Sequence, residues 1–188
     1  SMRLSFYNYS YITPERTEFV GFDNFVRLFH DKDFLKALQH TFLMVAVVVL
    51  LIAVLAFLIA VLLDGNLRGK TFFRTVYYMP YVISSVAVSI FFMYFFVKGG
   101  IGSRFFSLFG LKDTTWFTST KYALFLVIII YVWQQIGFYM ILYISGLQNI
   151  SAELYEVAKI DGANKAQCIW YITFPLVKPT TYLFITLG

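Results

Sequence analysis

Charged residues are scarce in this chain. Asp, Glu, Lys and Arg together make up 13% of it, about half the roughly 25% usual in soluble globular domains. Cysteine is nearly absent: Cys168 stands alone, which excludes an internal disulfide. The only histidines, His30 and His40, complete no Cys/His set with metal-ligand spacing. No secretory signal peptide opens the chain. Strict apolar–polar alternation is also missing, which argues against a membrane β-barrel. No Ser/His/Asp set and no paired carboxylates sit in the apolar stretches, so the chain is not expected to be an enzyme, and no cofactor is expected on it.

What the chain has in excess is apolar surface. Hydrophobic residues make up 60% of it and aromatics 21%, and its mean hydropathy is +0.73. A helix needs about 20 mostly apolar residues to cross the hydrocarbon core of a bilayer. Three runs without a charge meet that length: about 41–63, 76–97 and 122–147. A fourth begins near Pro179. Three such runs in one short chain argue against buried core helices of a soluble protein. Ser1 ahead of Met2, and an apolar close from Thr180 to Gly188 with no helix-ending signal, suggest a piece truncated at both ends. Leu4–Tyr9 reads as the end of an earlier span.

The net charge of +5 raises nucleic acid as a partner. The basic residues are scattered through short polar loops and form no stripe, so that partner is rejected and membrane lipid is expected instead. Segment 9–40 reads as extramembrane, with Pro14, Glu15, Arg16, Glu18 and Asp23, and with Asp31-Lys32-Asp33 opening a short amphipathic helix that carries Phe34, Leu35 and Leu38. Loop Asp64–Thr75 carries Arg68, Lys70 and Arg74. Loop Lys98–Lys121 carries Lys98, Arg104, Lys112 and Lys121. The first is shorter and denser in positive charge, which makes it the better cytoplasmic candidate. Segments 9–40 and 98–121 then lie outside and 149–178 inside. Gly65-Asn66-Leu67-Arg68-Gly69-Lys70-Thr71 imitates a phosphate-binding loop but has three residues between its glycines where the motif needs four. It also follows a spanning run rather than a strand. ATP is therefore expected on a separate chain.

Two polar features stand out. Gln134 and Gln135 fall mid-span, where such residues either join helices by hydrogen bonds or line a substrate pathway. They point about 100° apart, so at most one faces a pore directly. Ser85 with Ser89, and Ala56 with Ala60, read as small-residue packing pairs. The second feature is the polar stretch 148–178. Ser151 is a good N-cap with Glu153 in the first turn. Gly162 ends a helix, and Asn164 with Gln167 forms a plausible capping box. The second helix is expected to stop at Pro175.

Within that stretch, Glu156-Val157-Ala158, three residues, Gly162, nine residues, then Ile172-Thr173-Phe174-Pro175 resembles the EAA loop of ABC importer permeases. The family pattern is Glu-Ala-Ala, three residues, Gly, nine residues, Ile-x-Leu-Pro. Val157 and Phe174 depart from it and remain apolar. Asp161-Gly162-Ala163 matches the form common among carbohydrate importers. Val20–Phe25, Phe72-Phe73-Arg74-Thr75 with Pro80, and Trp133–Phe138 resemble the permeases of maltose, lactose and glycerol-3-phosphate importers. The resemblance implies an all-α, polytopic transmembrane bundle in a single permease domain over 1–188. It implies inward movement of a sugar or sugar-like solute across the cell membrane, coupled to ATP hydrolysis on a partner chain. The expected partners are an ATPase subunit dimer, a second permease subunit, an extracytoplasmic solute-binding protein and the sugar substrate. The coupling residues it implies are Glu156, Ala158, Asp161, Gly162, Ala163 and Pro175. Glu156 offers an exposed carboxylate, Ala158 and Ala163 allow close helix approach, Gly162 allows a sharp turn, and Asp161 either caps that turn or meets a partner. The alternative is a secondary transporter or channel working without an ATPase. It predicts ionisable residues inside the spans, and the sequence has none.

Overall fold

A computed structural model describes residues 2–9, 17–65, 67–111, 115–119 and 122–187. Pro14, Glu15, Arg16, Asn66, Lys112 and Lys121 lie outside them. The chain divides into two compact units, 1–45 and 46–188.

The first unit is small and aromatic. Met2–Phe6 forms a 3₁₀ turn and Tyr7–Asn8 a short strand, β1, rather than the end of a spanning helix. β1 pairs antiparallel with β2, Glu18–Phe19. Helix α1, Asp23–His30, follows. The Asn24 amide donates to the carbonyls of Ser5 at 2.9 Å and Tyr7 at 3.1 Å, which ties the helix to the turn. The Phe6 ring meets those of Phe22 and Phe25 at 5.4 and 5.5 Å.

Helix α2, Lys32–Asp64, runs from this unit into the second. The Asp31 carboxylate caps it, accepting from the backbone N–H of Asp33 at 2.8 Å and Phe34 at 3.3 Å. The amphipathic helix expected here is therefore not short. Lys36-Ala37-Leu38-Gln39 are good helix formers, and nothing breaks the ladder before the apolar run. Its buried residues Val48, Ile52, Ala56, Ala60 and Leu63 recur at near-fourfold spacing and mark one face. The Ala56–Ala60 pair is fully buried, as its small size allows.

The second apolar run is not one helix. It divides into α3, Lys70–Val82, and α4, Ser85–Phe95, bent by 91° at Ile83–Ser84. Helix α3 starts earlier than the apolar run because Gly69, at φ +82°, turns the chain and no proline or glycine follows before Pro80. The expected loop 64–75 thus shrinks to the five residues between α2 and α3. A short α5, Ile101–Ser107, and a 3₁₀ turn, Trp116–Thr118, occupy the next connection.

Helix α6, Ala123–Gln148, is the centre of the second unit and carries more of its buried described residues than any other element. At Gly137 the helix packs close against α3, and an added Cβ would overlap the Tyr77 carbonyl. Tyr81 stacks on Phe138 at 4.7 Å, Phe92 meets Trp133 at 5.5 Å, and Phe96 shares a buried cluster with Leu126. The bent pair thus keeps contact with α6 on both sides of the bend, as a broken span or a re-entrant loop would. Helices α2 and α6 are each long and apolar enough to cross a membrane, and the bent pair makes a third candidate.

Candidate functional site

Beyond α6 the chain forms α7, Ala152–Ile160. The Ser151 hydroxyl accepts from the Glu153 N–H at 3.3 Å, which caps it. Its end is a Schellman turn. The Ala163 N–H donates to Ala158 O at 2.9 Å and the Gly162 N–H to Lys159 O at 3.2 Å, with Gly162 at φ +80°. A side chain at Gly162 would touch nothing within 4 Å, so glycine is needed for the backbone and not for space. A capping box then starts α8, Lys165–Cys168: the Asn164 N–H donates to Gln167 Oε1 at 2.8 Å, and the Gln167 N–H to Asn164 Oδ1 at 2.9 Å.

The second helix does not end at Pro175. A π-helical turn, Ile169–Thr173, leads into α9, Phe174–Leu176, and then into α10, Lys178–Leu187. Proline has no N–H and its ring crowds the carbonyl four residues back. The wide turn just before it relieves that conflict, with the Phe174 N–H donating to Ile169 O, five residues back.

The expected coupling residues are partly gathered. Glu156, Asp161 and Gly162 are exposed on α7 and its turn, while Ala158 and Ala163 are half-buried. Ala163 lines a cleft of about 750 Å³ together with Val61, Leu62, Tyr155 and Lys159, so it faces the rest of the chain. The same cleft places the end of α2 and this segment at one end of α6. Pro175 is exposed but sits on α9, apart from the α7 turn. Leu154, Val157 and Ile160 are exposed along one side of α7, between 45% and 85%, with Glu153 and Glu156 beside them.

Gln134 and Gln135 lie elsewhere, in mid-α6. Gln134 is buried, and its Nε2 donates to Ile83 O at 3.2 Å and Ser85 Oγ at 3.3 Å. It satisfies a carbonyl freed by the bend between α3 and α4, a need that water cannot meet inside a bilayer. It also borders a cavity of about 460 Å³ with Ser85, Ser89, Phe92, Phe117 and Tyr131. Gln135 is half-buried. Ser85 and Ser89 are exposed, and Ser89 Oγ donates to Ser85 O at 2.7 Å instead of packing a helix.

Two positioning residues escaped sequence reasoning. Tyr155 Oη and Thr173 Oγ1 are hydrogen-bonded at 2.9 Å, joining α7 to the π turn. Nothing local in the sequence marks a contact between residues so far apart.

Residues 53–187 match the family described as binding-protein-dependent transport system inner membrane component. The chain belongs to this family. It is a membrane transport component of the ABC permease kind and not an enzyme. A probable ABC transporter permease protein, YurN, of Bacillus subtilis (strain 168) is 33% identical over 98% of this chain and 64% of its own length. The multiple sugar-binding transport system permease protein MsmF of Streptococcus mutans is 33% identical over 94% of this chain and 60% of its own. The crystal structure of a bacterial alginate ABC transporter, in complex with alginate pentasaccharide-bound periplasmic protein, contains a chain of similar fold. It is 28% identical with a TM-score of 0.81, over 89% of this chain and 59% of that one. This chain therefore spans less than two thirds of the proteins it matches. Its membrane location and predominantly helical permease fold follow from these likenesses.

Proposed function

We propose that this permease carries a sugar or sugar-like solute inward, driven by ATP hydrolysis on a separate subunit that docks on Glu156–Ala163. The observation that carries this is the α7 turn. A capped helix ends in a well-formed Schellman turn and yet exposes Leu154, Val157 and Ile160 beside Glu153 and Glu156. Apolar side chains held out on a rigid, doubly capped element suit a partner's groove. The Glu156 carboxylate adds a point that a basic partner residue can pair with.

The full assembly is proposed to hold an ATPase dimer, a second permease subunit and an extracytoplasmic solute-binding protein. Sugar as the solute class is supported by what MsmF is named for and by the pentasaccharide in the alginate transporter complex. The α2–α3 turn, with Arg68, and the α7–α8 segment share one end of α6, which fits a cytoplasmic placement for both under the positive-inside rule. Connection 98–121 is then extracytoplasmic. The cavity beside Gln134 is the proposed place for the solute's path, with Tyr131 and Phe117 offering ring faces to a sugar.

Gly162→Val tests the coupling. A β-branched residue at φ +80° costs about 1–2 kcal/mol from the backbone alone, without a clash elsewhere. The variant is expected to insert in the membrane normally and to lose solute uptake while the assembled complex still hydrolyses ATP. Normal uptake together with normal substrate-stimulated ATP hydrolysis would contradict the proposal.

A further inference from the structure

We infer that Tyr155 and Thr173 form a strut that carries movement of α7 into α10, an inference that rests on α7 being the ATPase-docking helix. Thr173 Oγ1 donates its only proton to Cys168 O, five residues back, at 3.2 Å. At 2.9 Å from Tyr155 Oη it therefore accepts, and the phenol donates. A continuous chain of two hydrogen bonds runs from the middle of α7 to the backbone at the start of the π turn.

That turn is a weak point of the main chain. Its ladder bond reaches five residues back, and Pro175 just beyond it supplies no N–H. A wide turn next to a proline yields when pushed. The strut spans it from outside, so a displacement of α7 passes across the turn instead of being absorbed in it.

The far end of the strut is firmly seated. Among the described side chains after Gln148, Thr173 and Val177 are the buried ones, at 4% and 1% exposure. Val177 O accepts from the Thr181 N–H at 3.1 Å, and Thr181 Oγ1 meets Tyr143 Oη of α6 at 3.0 Å. Gly146 of α6 faces Thr180 so closely that a Cβ there would crowd its hydroxyl. The Phe57 ring adds contacts to Phe174 at 5.8 Å and Tyr143 at 5.7 Å. Thr173 thus joins a seated helix below to an exposed one above. Neither strut residue touches solute or nucleotide; both are positioning residues.

The test uses the complete importer assembled with its ATPase, with magnesium ATP plus orthovanadate as the probe. Hydrogen–deuterium exchange is read over 152–160 and over 178–187, with and without the probe. In the unmodified complex both segments are expected to respond. In Tyr155→Phe and in Thr173→Val the 152–160 response persists, while the 178–187 response falls about fivefold, the worth of one neutral hydrogen bond. Thr173→Ser, which keeps the hydroxyl, restores it. If Thr173→Val does not assemble, Tyr155→Phe carries the test, since it removes one oxygen and leaves Thr173 bonded to Cys168. An unchanged 178–187 response in Tyr155→Phe overturns the strut and leaves the docking reading standing. No response at 152–160 in the unmodified complex overturns the docking reading and the strut with it.

Discussion

At the Leu126 end of α6, aromatic rings close on one another. Trp116, 2% exposed, stacks on Tyr122 at 4.8 Å and meets Phe106 at 5.2 Å and Phe96 at 5.5 Å. At the Gln148 end the chain turns out into α7 and α8, where Ile160 is 85% exposed and Tyr171 79%. Both ends are rich in apolar side chains. One gathers a buried cluster around Trp116, although Ile101, Leu108 and Phe109 beside it stay exposed, and the other holds its apolar side chains out on a capped scaffold. At the first end the centre of the cluster, Trp116, is enclosed by the chain's own rings. The second caps its α7–α8 segment and leaves apolar side chains exposed on it, which is what the proposed docking element needs.

Three substitutions separate those roles, taken from the largest expected loss of stability to the smallest. Trp116→Ala removes the centre of the aromatic cluster and is expected to destabilise the fold by about 3–5 kcal/mol. Thermal unfolding of the purified protein in detergent reads this as a large fall in midpoint. An unchanged midpoint would mean that the cluster is ornamental and the two ends are alike. Asn164→Ala removes one half of the capping box and is expected to cost about 1 kcal/mol. It should appear as faster amide exchange confined to 164–168, with α6 unaffected. Spread of the effect into α6 would show that the docking end is part of the core. Ile160→Ser is expected to change stability by no more than about 0.5 kcal/mol, as surface substitutions usually do, while weakening recovery of the ATPase with the permease. A clear drop in stability would show that Ile160 is covered within the protein.

The two ends were also legible to different degrees. The α7–Gly162–α8 segment could be read residue by residue because its signals are local. Ser151 caps two residues on, Asn164 and Gln167 cap each other three apart, and Gly162 supplies the positive φ at one position. The aromatic cluster could not be read, because Phe96 and Trp116 come together only through the fold. In a membrane protein a phenylalanine or tryptophan facing lipid looks the same in sequence as one in a core. The bend at Ile83–Ser84 was hidden in the same way. Pro80 stands three residues before it but inside the helix, no charge or glycine marks it, and the group that satisfies it, Gln134, lies 51 residues further on. Pro175 misled in the opposite direction. A proline usually ends a helix, but a π turn placed before it lets the chain continue into α10.

Whether the Gln148 end is a docking surface for an ATPase decides the proposed function. The most direct measurement is co-purification of the full-length permease with its partner ATPase, unmodified and as Glu156→Lys. The unmodified permease is expected to retain the ATPase, and the charge reversal to reduce the recovered ATPase by about tenfold or more, as expected when one partner of an interfacial ion pair is lost. Equal recovery with Glu156→Lys would contradict Glu156 as the contact, and no ATPase with the unmodified permease would contradict the docking surface itself.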